Sequence, residues 1–364
     1  LAVLLLLQFT KVKCSGDTTS DLSRVDLHSH FITPSYRAAL VKYGYGQPDG
    51  MPYIPVCKKI LHAAQSVYDK SINVSWSEES HLSIMKDANI SKSILSVSSP
   101  GTHLVPGNDE LARNITREVN EFAADLKKRL PEQFGFWASL PLPDIEGSLA
   151  ELAYALDELN ADGVVVMTNA HGVYLGNATL DPVFAELNRR NARVFIHPTS
   201  PCIGDGKATQ PASPLALYPG PVIEFFFDTA RAVSNLFLSG AIQSLTSTTF
   251  IVSHAGGAFT PLIDRLVEFA LLVGNPDLTA ESIRATIKKQ FYFDLAGTPF
   301  PDQIYGLLRY VDASRLVYGS DYPFTPDSSV TELGEEMNLE LPQVFPNEED
   351  QKKVLRENAE ALLK

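Results

Sequence analysis

From about residue 22 onward the chain alternates eight times between a short apolar run, rich in β-branched and aromatic residues, and a longer stretch of helical periodicity. The runs cover 24–31, 93–98, 134–140, 163–168, 193–198, 249–254, 291–295 and 316–321. They are apolar throughout, as strands buried on both faces of a parallel sheet must be. Between them, 111–130 carries a stripe at Leu111, Ile115, Val119, Phe122 and Leu126, and 148–159 carries one at Leu149, Leu152, Leu156 and Leu159. Asp181 stands as a helix cap with Pro182 at the first helical position. The stretch 347–364 closes the chain, with Leu355, Ala359 and Leu362 set among Glu and Lys charges. Eight β→α units in series predict the α/β class and a (β/α)8 TIM barrel over 24–364. A doubly wound sheet is the alternative. It needs a Gly-rich phosphate turn after the first strand, where His28-Ser29-His30 stands instead. No repeat, charge block or low-complexity linker marks a second domain.

The segment 41–77 is too long for an ordinary strand-to-helix connection. It carries Tyr43, Tyr45, Pro48, Pro52 and Pro55, and reads as an insertion after strand 1 that lies over the site. The stretch 198–221, rich in Pro, Gly and Ser, forms a second loop on the same face.

Four short strings place metal-ligand types at strand ends: Asp26-Leu-His28-Ser-His30, Ile196-His197-Pro198, Ser253-His254-Ala-Gly-Gly257 and Gly319-Ser-Asp321-Tyr-Pro-Phe324. His28 and His30, two apart on an extended chain, point the same way and can face one ion. Asp26 falls on the same face one layer deeper, where it can orient a ligand. Taken singly, each His could be a hydrogen-bonded core residue and Asp321 a turn residue. Together they describe a metal site at the C-terminal mouth of a barrel. Phe324, with Phe31, Tyr322, Phe300 and Trp137 as further candidates, would supply aromatic walls.

A net charge of −13 and a pI near 5.1 argue against nucleic-acid partners and anionic membrane surfaces. The apolar run 1–7, followed by polar 11–16, is far shorter than the ~20 residues of a membrane helix. It reads as the hydrophobic region of a secretory signal spanning 1–16, with a truncated anchor or a gene-model artefact as the rival. Secretion is therefore the expected localisation and the cytoplasm the alternative. Sequons at Asn73, Asn89, Asn114 and Asn177 matter on the first reading. Of the cysteines Cys14, Cys57 and Cys202, the last two can pair, although spacing does not establish it.

The strings His-x-His, His-Pro, Ser-His-Ala-Gly-Gly, Gly-Ser-Asp-Tyr-Pro-Phe and the terminal Glu-Asn-Ala-Glu-x-Leu-Leu resemble the amidohydrolase superfamily. Within it they resemble the aminocarboxymuconate-semialdehyde decarboxylase-like branch, nearest to 6-methylsalicylate and γ-resorcylate decarboxylases. The resemblance spans 24–364. It implies His28, His30, His197 and Asp321 as metal ligands, with His254 (and Asp321) moving protons. It also implies that Arg265 reaches across a homodimer interface to bind a substrate carboxylate; an ion pair with Asp264 or Glu268 is the plainer reading. Arg231 reads as a structural ion pair with Asp228 or Glu224. The segment 41–111 has no Arg, so a second carboxylate anchor there would have to be Lys42, Lys58 or Lys59.

Binuclear members carry a Lys or Glu at the end of strand 4, and 163–168 here reads Gly-Val-Val-Val-Met-Thr. One ion is expected, Zn²⁺ first and Mn²⁺ as the alternative. The favoured function is non-oxidative decarboxylation of a small hydroxylated aromatic acid without an organic cofactor. Metal-dependent hydrolysis of a lactone or amide is the rival, and a non-catalytic metal-binding barrel the third reading.

Overall fold

The computed structural model describes residues 22–45, 76–204, 209–211 and 220–364. Eight strands form one parallel sheet in sequential order: β1 (Arg24–His30), β2 (Ile90–Ser96), β3 (Phe134–Ser139), β4 (Gly163–Met167), β5 (Arg193–His197), β6 (Thr249–Val252), β7 (Phe291–Asp294) and β8 (Leu316–Val317). The sheet closes on itself. Asp26 pairs with Tyr318 and Ser29 with Tyr322 across the β8–β1 seam, and Leu27 N donates to Tyr318 O at 3.0 Å. The chain is therefore a (β/α)8 barrel.

The continuous apolar runs fill two layers. Val25, Leu27, Ile94, Trp137, Val165, Phe195, Ile251 and Val317 form the barrel interior, and Ala359 and Leu362 pack against it. The alternate residues of the strands meet the surrounding helices. Trp137 lies in that interior, with its indole N–H bonded to Leu27 O at 2.9 Å. The expectation that it lines the rim is corrected: it sits too deep on β3. Phe31 is also off the rim, because it leaves β1 outward and stacks on Phe122 of the helical layer. Tyr322 packs against His81 and Phe300 is buried in the outer core, so neither is seen against the histidines at the mouth.

The helices follow local chemistry. One runs Asp109–Arg129, capped by Asn108, with Asp109 and Glu110 in its first turn and Lys127, Lys128 and Arg129 in its last, each favourable to the helix dipole. Its buried stripe includes Ile115, Val119 and Leu126, as expected. The next spans Ile145–Asp157 and begins earlier than its periodicity suggested, because Asp144 accepts from Gly147 N and caps it. The helix Asp181–Arg189 has Leu180, not Asp181, at its cap. Asn177 caps the preceding 3-10 turn instead, so Asp181 and Pro182 are already helical. The C-terminal element, Glu348–Lys352 and onward through Asn358–Leu363, contains one wider π turn. Beyond it the Asn358 amide donates to Ala313 O and Leu316 O and ties the end of the chain to β8.

The proposed insertion lies largely outside the described residues, as do Lys58, Lys59, Cys57 and Asn73. Its first two residues, Val41 and Lys42, end the helix Pro34–Lys42 that precedes it. In the second loop Cys202–Gly204 pairs antiparallel with Thr209–Pro211. No helix among the described residues is long and apolar enough to cross a membrane.

Candidate metal centre and active site

Strand ends were expected up to two to four residues further on than they occur at β6 and β8. The difference is functional: past Val252 and Val317 the backbone leaves the ladder to aim side chains inward. His254 and Asp321 both take the left-handed conformation, with φ of 52° and 57°. Gly319 permits this at close quarters. A Cβ there would lie 2.8 Å from the Cβ of His28.

On β1 the pairing with β2 breaks register between Asp26 and Ser29. The break resets the alternation: Val25 and Leu27 face the interior below it, His28 and His30 above it. Asp26 consequently does not reach either imidazole. Its carboxylate accepts from His28 N, Ser320 N and Ser320 Oγ at 3.0, 3.0 and 2.6 Å, and so fixes the backbone of both ligand-bearing segments. Burial pushes Asp26 up to about 7, against those hydrogen bonds.

His28 Nε2 and His30 Nε2 face one another at 3.1 Å. Asp321 Oδ1 lies 3.1 Å from the second and 3.4 Å from the first. His197 joins them, and donor atoms of His28, His30, His197 and Asp321 all fall within 4.8 Å of one another. Two ring nitrogens turned toward each other beside a carboxylate need a cation or a proton among them. Three imidazoles and one carboxylate are a donor set suited to a divalent ion.

The outer nitrogens are held. His28 Nδ1 contacts Asp294 Oδ2 at 2.9 Å, His30 Nδ1 contacts Ser96 Oγ at 3.0 Å, and His197 Nδ1–H donates to Pro198 O at 2.7 Å. At the end of β4, Met167 pairs with His197 in the ladder, and Thr168 donates to Asp228.

The electrostatics follow the geometry. Burial opposes the His28 imidazolium, but the carboxylates of Asp294 and Asp321 outweigh it and push His28 up to about 10. Burial lowers His30, His197 and His254 and keeps them neutral. Burial alone would raise Asp321. The His28 charge and the hydrogen bonds from His28 and His30 win, and hold it well below the usual carboxylate range.

His254 sits beside this cluster, its Nε2 4.0 Å from Asp321 Oδ2. Its Nδ1 contacts Ala296 O at 3.3 Å, and its ring stacks on Phe226 with centroids 5.8 Å apart. Phe324 stands edge-on to His30 at 5.3 Å. The structure thus brings His28, His30, His197, His254, Asp321 and Phe324 together. Arg265 is not among them. It lies on an exposed face with Phe227, Arg231 and Leu262, its guanidinium over the Phe269 ring at 4.8 Å, and makes no ion pair with Asp264 or Glu268. Arg231 pairs with Asp228 at 3.4 Å, as expected.

Sequence reasoning missed Asp294, Ser96, Phe226 and Gln303, whose amide donates to His254 O at 2.8 Å. Asp294 had a usable signal: it ends β7 as Asp321 follows β8. The others had none.

The fold and this cluster define a metal-dependent enzyme built at the mouth of a (β/α)8 barrel. The chain belongs to the amidohydrolase family, whose model matches residues 25–364. It is 33% identical over 345 residues to the 6-methylsalicylic acid decarboxylase of Aspergillus aculeatus, covering 92% of this chain and 94% of that one. It is also 33% identical to the 6-methylsalicylic acid decarboxylase of Penicillium expansum, over 85% of this chain and 87% of that one. Among solved structures, an amidohydrolase II superposes with a TM-score of 0.78 at 30% identity, covering 94% of this chain and 99% of that one. The fold is shared with a dihydroxybenzoic acid decarboxylase from Polaromonas that contains manganese and 2-nitroresorcinol, at a TM-score of 0.70 and 20% identity, covering 94% and 96%.

Proposed function

We propose that the protein is a metal-dependent carboxy-lyase that removes carbon dioxide from a hydroxylated aromatic acid of the 6-methylsalicylate type. The observation that carries the reading is His254 beside Asp321 at the edge of a three-histidine cluster, in a chain a third identical to decarboxylases of that acid. His28, His30, His197 and Asp321 would hold one divalent ion, Zn²⁺ or Mn²⁺. No lysine or acid stands at the end of β4 to bridge a second. When bound there, such an ion would supply the positive charge that stabilises negative charge developing on the substrate.

The side chains handle the proton. His254, neutral and with Nδ1 directed at Ala296 O, offers Nε2 as the base that takes the phenolic proton. The same proton is returned to the ring carbon that bears the carboxylate. A C–H bond forms there from ring electrons. The C–C bond then breaks, its electron pair restores aromaticity as the phenolate, carbon dioxide leaves, and the phenolate oxygen takes a proton from solvent. Phe226 and Phe324 flank the histidines and suit a flat ring.

We further propose a homodimer through the face around Arg265. Phe227, Leu262, Phe269, Leu271, Leu272 and Val273 are all exposed there, Leu271 and Leu272 by more than 75%. Such a patch favours burial against a second copy. The Arg265 fork would then bind the carboxylate of the partner's substrate. Passage through the secretory route, proposed from the N-terminal apolar run, agrees with surface positions for Asn89, Asn114 and Asn177.

The deciding experiment incubates metal-loaded protein with 6-methylsalicylate, 2,6-dihydroxybenzoate and a lactone panel. Carbon dioxide and the matching phenol are expected from an aromatic acid. Lactone hydrolysis without carbon dioxide overturns the assignment.

A further inference from the structure

Asp294 is buried at the end of β7 and its two oxygens serve two different parts of the site. Oδ2 is 2.9 Å from His28 Nδ1. Oδ1 accepts from His254 N at 2.9 Å and from Ala296 N at 3.1 Å. The first contact concerns a metal-ligand candidate, the second the acid/base candidate and the residue whose carbonyl receives His254 Nδ1. His254 is held in its left-handed conformation from the other side by Gln303, which donates to His254 O and Gly257 O.

We propose that Asp294 is a positioning residue that couples the metal centre to the proton-transfer group, through one oxygen for each. Oδ2 keeps the His28 proton on Nδ1, so that Nε2 presents its lone pair toward His30 and Asp321. Oδ1 anchors the backbone of His254 and Ala296, which sets where the His254 ring stands relative to Asp321. The inference rests on the proposed ligand set and acid/base role, and its first readouts do not use substrate.

The two halves separate by substitution. In Asp294→Asn the backbone donors of His254 and Ala296 still require an oxygen at Oδ1, so the new amide NH₂ faces His28. That NH₂ donates to Nδ1 and forces the His28 proton onto Nε2, the atom that must face the ion. Metal affinity, measured by chelator competition with Zn²⁺ or Mn²⁺ alone, is expected to fall about ten- to a hundred-fold. At saturating metal, kcat is expected to remain below wild type but above that of Asp294→Ala, because the oxygen that accepts from His254 N and Ala296 N is kept. Asp294→Ala loses both contacts. It is expected to show the same loss of metal affinity, with kcat still low at saturating metal.

Nitrogen NMR of the zinc-loaded wild-type protein provides a readout free of any variant, and His28 is expected to show a hydrogen-bonded Nδ1–H. Unchanged metal affinity in Asp294→Asn, or a His28 with no proton on Nδ1 in the zinc-loaded wild type, overturns the tautomer half. Full kcat in metal-saturated Asp294→Ala overturns the His254 half. If no aromatic acid is turned over, the decarboxylase reading fails while the affinity and NMR results still decide the Asp294–His28 contact.

Discussion

His254 Nε2 and Asp321 Oδ2 face one another across 4.0 Å, beyond a direct hydrogen bond and close enough for a substrate oxygen or its proton to bridge them. Both residues stand in left-handed turns just past their strands, so the gap is set by backbone and not by free rotation of long side chains. The barrel delivers the two from β6 and β8 to the same mouth.

His254 is not one of the four residues proposed to hold the ion, although its ring lies within reach of a second cluster with His28 and Asp294, whereas Asp321 is one of the four. His254→Ala is therefore expected to keep its metal content and lose about 10²–10⁴-fold in kcat. Asp321→Ala is expected to lose metal and activity together. Metal analysis beside steady-state kinetics checks this. Loss of metal from His254→Ala would move that residue into the ligand set.

Gly319 should tolerate no side chain. An alanine Cβ at that position lies 2.8 Å from His28 Cβ, 3.2 Å from Ala296 Cβ and 3.3 Å from Asp294 Cβ, all parts of the site wall. Gly319→Ala is expected to destabilise the fold by about 1–3 kcal/mol through overpacking. Because the nearest clash is with His28, metal affinity should fall as well. Denaturant unfolding and chelator competition measure the two effects.

The barrel was legible because each strand is a short apolar run, and the proposed ligands lie near or just past the C-terminal ends of three of them. The failures have a common physical source, the local parity of side chains. Asp26 was placed with His28 by counting two residues, and the register break between Asp26 and Ser29 changes that count. Phe31 and Trp137 were placed at the rim because they are aromatic and near strand ends. Phe31 follows His30 onto the outer face, and Trp137 lies a layer too deep. Ser96, Phe226 and Gln303 could not be found from residue type, since they act through hydrogen bonds and stacking between distant segments.

His81 predicts a pH dependence of stability. It is buried, accepts the Trp76 indole N–H on Nδ1 at 2.9 Å and contacts Ser29 Oγ with Nε2 at 3.2 Å, so it is neutral. Burial pushes it from 6.5 down to about 3. In the unfolded chain it protonates near 6.5. Above that pH neither state binds the proton and stability is unaffected. As pH falls from about 6.5 toward about 3, the unfolded state takes up a proton that the folded state refuses, and stability falls. The slope from this group is at most about 1.4 kcal/mol per pH unit. His81→Gln keeps an acceptor for Trp76 and removes the titration. Urea unfolding of both proteins between pH 4 and pH 7 (about one pH unit per step) should show a flatter acid limb for the variant. An identical slope would remove His81 from the account.

Arg265 distinguishes a site completed by a second subunit from one complete in a single chain. If its fork serves the partner's substrate, His254→Ala and Arg265→Ala homodimers are each nearly inactive, for different reasons. In a mixed dimer, the subunit with an intact His254 faces a partner with an intact Arg265, and one of its two sites is restored. Activity should appear on mixing and subunit exchange, and rise with the fraction of mixed dimer. An Arg265 that acts within its own chain gives no such recovery, because every site then lacks one of the two residues. Sedimentation of the mixture separates failure to exchange from failure to complement. A monomer that retains full activity would show that the exposed apolar face around Phe269 and Leu272 has some other role.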